Sequence, residues 1–253
     1  MMRKKLYFTV DMEPDCPPYL NGWRGIDEAA PRLLALLRHW SVPAALFVTG
    51  ELARRNPDLV QAWADDGHAI GCHSDAHVRL STLSPGAAYE DLARATETLR
   101  ALVPVDMFRA PNLDLPRALV PKLATLGYYI DSSEGRHKHF TARVRYEHGV
   151  LRIPASTTSS LLRLPSLLSA PLVDLLPAPL VLFIHPWELV DLRQTKLRFD
   201  CRARTGPPAL ASLDGLFAQL RRRGYVFERL DAFTAARALE PAPPPHRPTR
   251  ASS

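Results

Sequence analysis

Short apolar runs, most followed closely by an ionisable side chain, alternate with amphipathic stretches along almost the whole chain. This alternation constrains the fold more than any other feature, because a strand that returns through a helix rejoins its sheet in parallel. Leu6–Val10 reads as a buried strand, and Asp27–Trp40 as a helix with apolar positions at Leu33, Leu34, Leu36 and Leu37. Ala44–Val48 is the next strand, and Asn56-Pro57 is placed to cap and open the helix after it. Ala69–Cys72, Val105–Arg109 and Tyr128–Asp131 read as further strands. Between them, Ser84-Pro85 opens a helix towards Leu102, and Pro116–Leu126 is a helix stopped by Gly127. The rhythm breaks after Leu151–Ile153 and resumes with strand Leu180–Ile184, helix Ala209–Arg223 and strand Tyr225–Leu230. The expected fold is α/β, a mostly parallel sheet closed or nearly closed into a barrel. Residues 240–253 are proline-rich and read as a disordered tail, leaving 1–239 as the domain.

Composition narrows the function classes. No apolar run reaches the ~18 residues of a membrane span. Met1-Met2-Arg3-Lys4-Lys5 is basic, but Asp11 ends the apolar run behind it too soon for an export signal, so a cytoplasmic protein is expected. Cys16, Cys72 and Cys201 are few and far apart, which suits a reducing compartment better than a disulfide framework or a cysteine-based metal site. The net charge of +6 comes without a nucleic-acid signature; Arg221-Arg222-Arg223 reads as a solvated helix end.

In α/β barrels the reactive side chains stand at the carboxyl ends of strands. Those ends read "TVDMEPD", "CHSDAH", "FRAPN", "YYIDSS" and "VLFIHPWE", and all carry ionisable or metal-binding groups. His73 and His77 are four residues apart, which on a helical backbone puts both imidazoles on one face, ready for one metal ion. The plain alternative for that pair is a surface turn with ordinary hydrogen bonds.

Taken in order, the five stretches resemble the motifs of the polysaccharide deacetylase family, the nodulation deacetylase homology domain of carbohydrate esterase family 4. H-S-x-x-H after G-H-x-I-G is the most specific match, supported by R-x-P, G-Y-x-x-D-S and the closing H-P-W-E. The resemblance covers roughly residues 5 to 235. It implies a single-domain, distorted, seven-stranded (β/α) barrel and a hydrolase of linear amide C–N bonds. One departure stands out. Most members have two adjacent aspartates in the first motif, whereas this chain has Asp11-Met12-Glu13, resembling a V-D-x-E subgroup.

The resemblance implies a role for each residue. Asp11 is the general base that takes a proton from the attacking water, with Arg109 beside it as counter-ion. Glu13, His73 and His77 hold one divalent metal, with Asp15 as the fallback for Glu13. Zinc is the default ion, and Co2+, Ni2+ and Fe2+ suit the same donors. His185 is the general acid that protonates the leaving nitrogen, and Asp131 is the expected partner of its ring. Pro111 and Trp187 are expected at the substrate, although Trp187 could equally close the core. His68 reads as a turn residue, Asp75 as facing solvent with a supporting hydrogen bond behind the two histidines as the alternative, and Tyr7, Phe8 and Phe183 as core. Ser156–Leu176 reads as one or two short helices packed on the barrel, with an apolar rim approaching a lipid carrier as the functional alternative.

The expected reaction is removal of an N-acetyl group from an N-acetylated sugar or glycoconjugate precursor, possibly lipid-linked. The rivals are a deformylase or other non-peptide C–N hydrolase of the same fold, and a non-catalytic carbohydrate-binding protein.

Overall fold

The computed structural model describes residues 4–20 and 22–233; the proposed tail at 240–253 lies outside them. In chain order the regular elements begin with β1 (Lys4–Met12), α1 (Ala30–His39), β2 (Ala44–Val48), α2 (Gly50–Arg55), α3 (Pro57–Asp65), β3 (Ala69–Cys72) and α4 (Pro85–Arg100). Then come β4 (Met107–Phe108), α5 (Val120–Thr125), β5 (Ile130–Asp131), β6 (Arg145–Glu147) and β7 (Val150–Arg152). The last are α6 (Ser166–Asp174), β8 (Leu180–Ile184), α7 (Phe199–Arg202), α8 (Pro207–Arg222) and β9 (Tyr225–Glu228).

The strands form one sheet in the order β6-β7-β5-β4-β3-β2-β1-β8, with β9 pairing the first residues of β1. Every ladder is parallel except that of β6 with β7. The path from β7 round to β8 is the expected seven-stranded barrel, to which β6 and β9 are additions. Its seam carries no strand ladder. Instead the Ser156 N–H donates to Val181 O at 2.8 Å, and the Val181 N–H donates to Ser156 Oγ at 2.9 Å.

Strand alternation sorts the side chains into two cores. Leu6, Phe8, Val10 and Met12 of β1 join Leu46, Leu182 and Ile184 under the surrounding helices. Tyr7, Phe47, Met107, Ile130, Leu151 and Val181 fill the barrel interior. This parity decides where the polar residues at the strand ends go. Asp11, two residues beyond Thr9 and four beyond Tyr7, continues the inward set, as do Arg109 after Met107 and His185 after Val181 and Phe183. Asp131 follows the inward Ile130 and therefore takes the other side of the sheet.

Helix starts follow their local chemistry. Ser84 Oγ accepts the Ala87 N–H at 3.3 Å, and Thr49 Oγ1 accepts the Leu52 N–H at 3.2 Å. Asn56 precedes α3, as expected, but its side chain makes no capping bond. The stretch Ser156–Leu176 forms a short 3-10 turn at Ser159–Arg163 followed by α6, packed on the barrel beside α8. No helix among the described residues is long and apolar enough to cross a membrane.

Candidate active site

The carboxyl ends of β1, β3, β4 and β8 converge on a cavity of about 300 Å³ whose lining includes Asp11, Glu13, His77, His185 and Trp187. Glu13, His73 and His77 are buried, and one donor atom from each lies within 4.8 Å of the others. Glu13 Oε2 stands 3.1 Å from His73 Nε2 and 2.6 Å from His77 Nε2. Burial alone would raise the Glu13 carboxyl, but His77, His185 and His73 outweigh it and hold it well below the usual range.

The His73 tautomer follows from its partner. Nδ1 lies 2.7 Å from the Arg109 carbonyl, which only accepts, so Nδ1 carries the proton and Nε2 offers a lone pair towards Glu13. Neither ring nitrogen of His77 makes a well-formed hydrogen bond although both are buried. A buried imidazole without such a bond, beside a second imidazole and a carboxylate, is what a divalent metal would satisfy, so the residues fit the expected ion.

The two histidines do not owe their approach to a helix, as their spacing suggests. Residues 73–77 are a loop in which Ser74 and His77 have positive φ values of 62° and 54°. Asp75 holds this loop from below. It is buried, not solvent-facing, and pairs with Arg54 at 2.6 Å and Arg94 at 2.9 Å. Its own N–H donates to Asp91 Oδ1 at 2.9 Å. His68 is likewise more than a turn residue: it is buried, and its Nδ1 accepts the Ala44 N–H at 3.2 Å.

Asp11 Oδ1 receives Arg109 Nη1 at 2.6 Å, deep in the barrel mouth. Arg109 is fully buried and also donates to Thr9 Oγ1, Ser132 O and Ser132 Oγ, with Phe47 4.2 Å from its guanidinium. Asp11 Oδ2 is turned towards His185 Nε2, 3.8 Å away.

The expected Asp131–His185 pair is absent. Asp131 accepts from Ser133 Oγ and from Arg152 Nε, the latter at 2.8 Å, and braces β5 against β7. The reason is the parity described above, which turns Asp131 to the other side of the sheet together with its register partner Arg152. The partner of His185 is Glu188. Its Oε1 lies 2.7 Å from His185 Nδ1 and accepts the His185 backbone N–H at 3.2 Å. Its Oε2 pairs with the buried Arg163 Nε at 2.7 Å. Burial opposes a charged ring, but Glu13, Glu188 and Asp11 together push the His185 imidazolium up to about 9. The sequence does signal this partner: Glu188 stands three residues after a strand-end histidine, the spacing of a carboxylate that reaches back over the first turn.

Trp187 neither stacks on open space nor merely closes the core. Its Nε1 donates to Glu13 Oε1 at 2.9 Å, and its ring stacks on His185 with centroids 5.0 Å apart. Pro111 is buried and does not line the cavity, which its neighbours Asn112 and Leu113 do. Phe183 packs edge-on against His185 and also reaches the cavity. The thiols of Cys16 and Cys201 adjoin in the wall, where burial raises the Cys16 thiol and disfavours a thiolate nucleophile.

Asp15, the fallback ligand, is already engaged: its carboxylate accepts the Gly25 N–H at 2.7 Å and the Arg24 N–H at 2.9 Å. Glu13→Ala should therefore lose metal, whereas Asp15→Ala should keep it and only destabilise the loop. Metal content of the two purified variants checks this, and the reverse result would move the ligand.

The polysaccharide deacetylase family profile matches residues 1–130, just over half of the chain. The chain belongs to this family. Among curated polysaccharide deacetylase relatives, a chitin deacetylase of Colletotrichum lindemuthianum is 34% identical over 108 residues, 40% of this chain and 43% of that protein. A peptidoglycan-N-acetylmuramic acid deacetylase of Bacillus subtilis is 31% identical over 94 residues, 37% of this chain and 32% of that protein. The match thus spans less than half of either relative. Two solved structures share the fold. A family 4 carbohydrate esterase from Streptomyces lividans superposes with a TM-score of 0.60 at 18% identity, covering 90% of this chain and 93% of that one. A family 4 pseudoenzyme from Bacillus anthracis also gives 0.60 at 18% identity, covering 91% of this chain and 65% of that one. Since the second carries the same fold as a pseudoenzyme, the deacetylase fold alone does not decide activity; the side chains must.

Proposed function

We propose that the protein is a metal-dependent amide hydrolase that removes an N-acetyl group from an N-acetylated sugar or glycoconjugate precursor. The observation that carries this reading is the facing pair at the cavity: Asp11 Oδ2 and His185 Nε2, 3.8 Å apart above the Glu13-His73-His77 cluster. Glu13, His73 and His77 would hold one divalent ion, with zinc the default for this donor set. When bound, the ion supplies Lewis-acid polarisation of the amide carbonyl and lowers the pKa of water.

The remaining chemistry falls to the chain. Asp11, oriented by Arg109, takes a proton from water as its oxygen attacks the carbonyl carbon. His185 gives its Nε2 proton to the amide nitrogen as the C–N bond breaks, releasing acetate and the free amine. Glu188 holds the proton on Nδ1 and stabilises the charged ring, and Arg163 fixes Glu188. Trp187 orients Glu13 while its ring limits how His185 can tilt. The non-catalytic reading loses ground because the residues proposed as base, acid and metal ligands stand together.

Three unpaired thiols suit the cytoplasm, where a nucleotide-linked or lipid-linked precursor would be the substrate rather than finished polymer. Incubation with N-acetylated and N-formylated sugars, free and in both linked forms, tests the reading through release of acetate, formate and amine. Acetate is expected; formate alone would make the protein a deformylase, and neither product from metal-loaded protein would overturn hydrolysis. Asp11→Ala should cut turnover about a hundredfold or more while leaving the metal in place.

A further inference from the structure

Helix α6 is built inside out. Its buried residues are small, Ser169, Ala170 and Val173, while Leu167, Leu168, Leu172 and the following Leu175 are 75%, 58%, 42% and 79% exposed. At about 100° per residue these leucines, with the exposed Pro171, occupy one continuous arc opposite the core. A leucine stripe on the outer face is what a helix shows when something apolar is to cover it.

Cations gather at the carboxyl end of this stripe. Beyond its carboxyl end, Arg136 donates to the carbonyls of Pro177, Ala178 and Pro179, which docks the loop 136–143 against the segment that follows α6. That loop carries Lys138 and Arg143 and ends its basic run on Phe140, 91% exposed. At the same end stand Arg222 and Arg223 at the close of α8, which packs along α6, with Arg223 bound to Asp174. The one carboxylate on α6, Asp174, is already bound by Lys4 at 3.2 Å, Arg223 at 2.5 Å and Tyr225 at 2.8 Å. Arg143 and Arg222 have no acidic partner within ion-pair distance among the described residues.

We infer that this face is a docking surface for an anionic lipid bilayer, with the leucines and Phe140 entering the interface and the cations at its carboxyl end meeting headgroups. A second copy of the chain suits the face less well. The cations at its carboxyl end call for an anionic partner, and α6 of a second copy offers no free carboxylate, because Asp174 is already paired. The location gives the face a use. Ser159, Ser160 and Arg163, just before α6, and His137 and Lys138 of the basic loop belong to the wall of the active-site cavity. Docking would thus hold the cavity beside the membrane surface.

Co-sedimentation of the full chain with phosphatidylglycerol-containing vesicles and with pure phosphatidylcholine vesicles tests this, at low and high salt. Binding to the anionic vesicles is expected, weakened by salt and much poorer with phosphatidylcholine. The double variant Leu168→Ser, Leu172→Ser should reduce partitioning about tenfold or more, and Arg143→Ala and Arg222→Ala by about fivefold each. Leu59→Ser, a partly exposed leucine on α3, serves as control and should bind like wild type. All five positions are at the surface, so an unchanged circular dichroism melt will show that folding is intact. Absence of binding to anionic vesicles, or binding indifferent to the α6 leucines, overturns the inference. So does a concentration-dependent dimer in ultracentrifugation that the leucine variant dissolves.

Discussion

Alanine at His73 should empty the metal site and abolish hydrolysis together. His73 is the imidazole whose lone pair is fixed in advance by the 2.7 Å bond from Nδ1 to the Arg109 carbonyl. Its loss leaves Glu13 and His77, and two ligands hold such an ion poorly. The change should also be felt by Arg109, whose carbonyl loses a buried donor, so a modest drop in melting temperature is expected alongside. Metal analysis of the purified variant is the decisive measurement, with turnover measured in parallel. Full occupancy in the variant would sink the metal assignment. Full occupancy with no turnover would shift His73 from ligand to another role in the site.

The second large effect concerns the carboxylate behind the acid. Glu188→Gln should keep the metal but cut turnover by about ten- to a hundredfold, the usual loss when a group that orients a reactive imidazole is removed. The pH profile gives the sign. A general acid must be protonated, so activity falls as pH rises through the His185 pKa. The charges facing that ring are Asp11 of β1, Glu13 just after it, and Glu188 from its own turn, the last paired with Arg163. Removing the Glu188 anion removes one of the influences that raise His185, so the basic limb should move to lower pH. Asp131→Asn should do something different. It weakens a buried pair with Arg152 and should lower stability by about 1–3 kcal/mol, leaving the position of the basic limb unchanged. If Asp131→Asn moved the limb and Glu188→Gln did not, the ring's partner would be the aspartate after all. A Glu188→Gln, His185→Ala double variant should lose little beyond His185→Ala alone, since Glu188 acts only through the ring.

Much of this molecule follows from one-dimensional pattern. Alternating apolar strands and amphipathic helices define a parallel sheet, because the crossover is geometrically forced, and five charged strand ends mark one end of it. Period-two alternation even accounts for the first motif: Asp11 and Glu13 share a face because they are two residues apart, while Met12 between them packs under the helices. What only the tertiary structure decided is who touches whom once the sheet curls. Asp131 carries the same kind of charge at the same kind of strand end as Asp11, but its strand enters the sheet with Ile130 inward, so its carboxylate is spent on Arg152. Glu188 becomes the partner of His185 because the turn after β8 folds back within hydrogen-bonding reach, and Arg163 arrives from the 3-10 turn before α6, which nothing local in the sequence ties to Glu188. His73 and His77 meet through a loop with positive φ angles, held by Asp75 and its two arginines, rather than through a helical turn. Chain pattern records which side chains are polar and where a strand ends; which of them share a pocket depends on inward or outward parity and on long-range ion pairs, and neither is local.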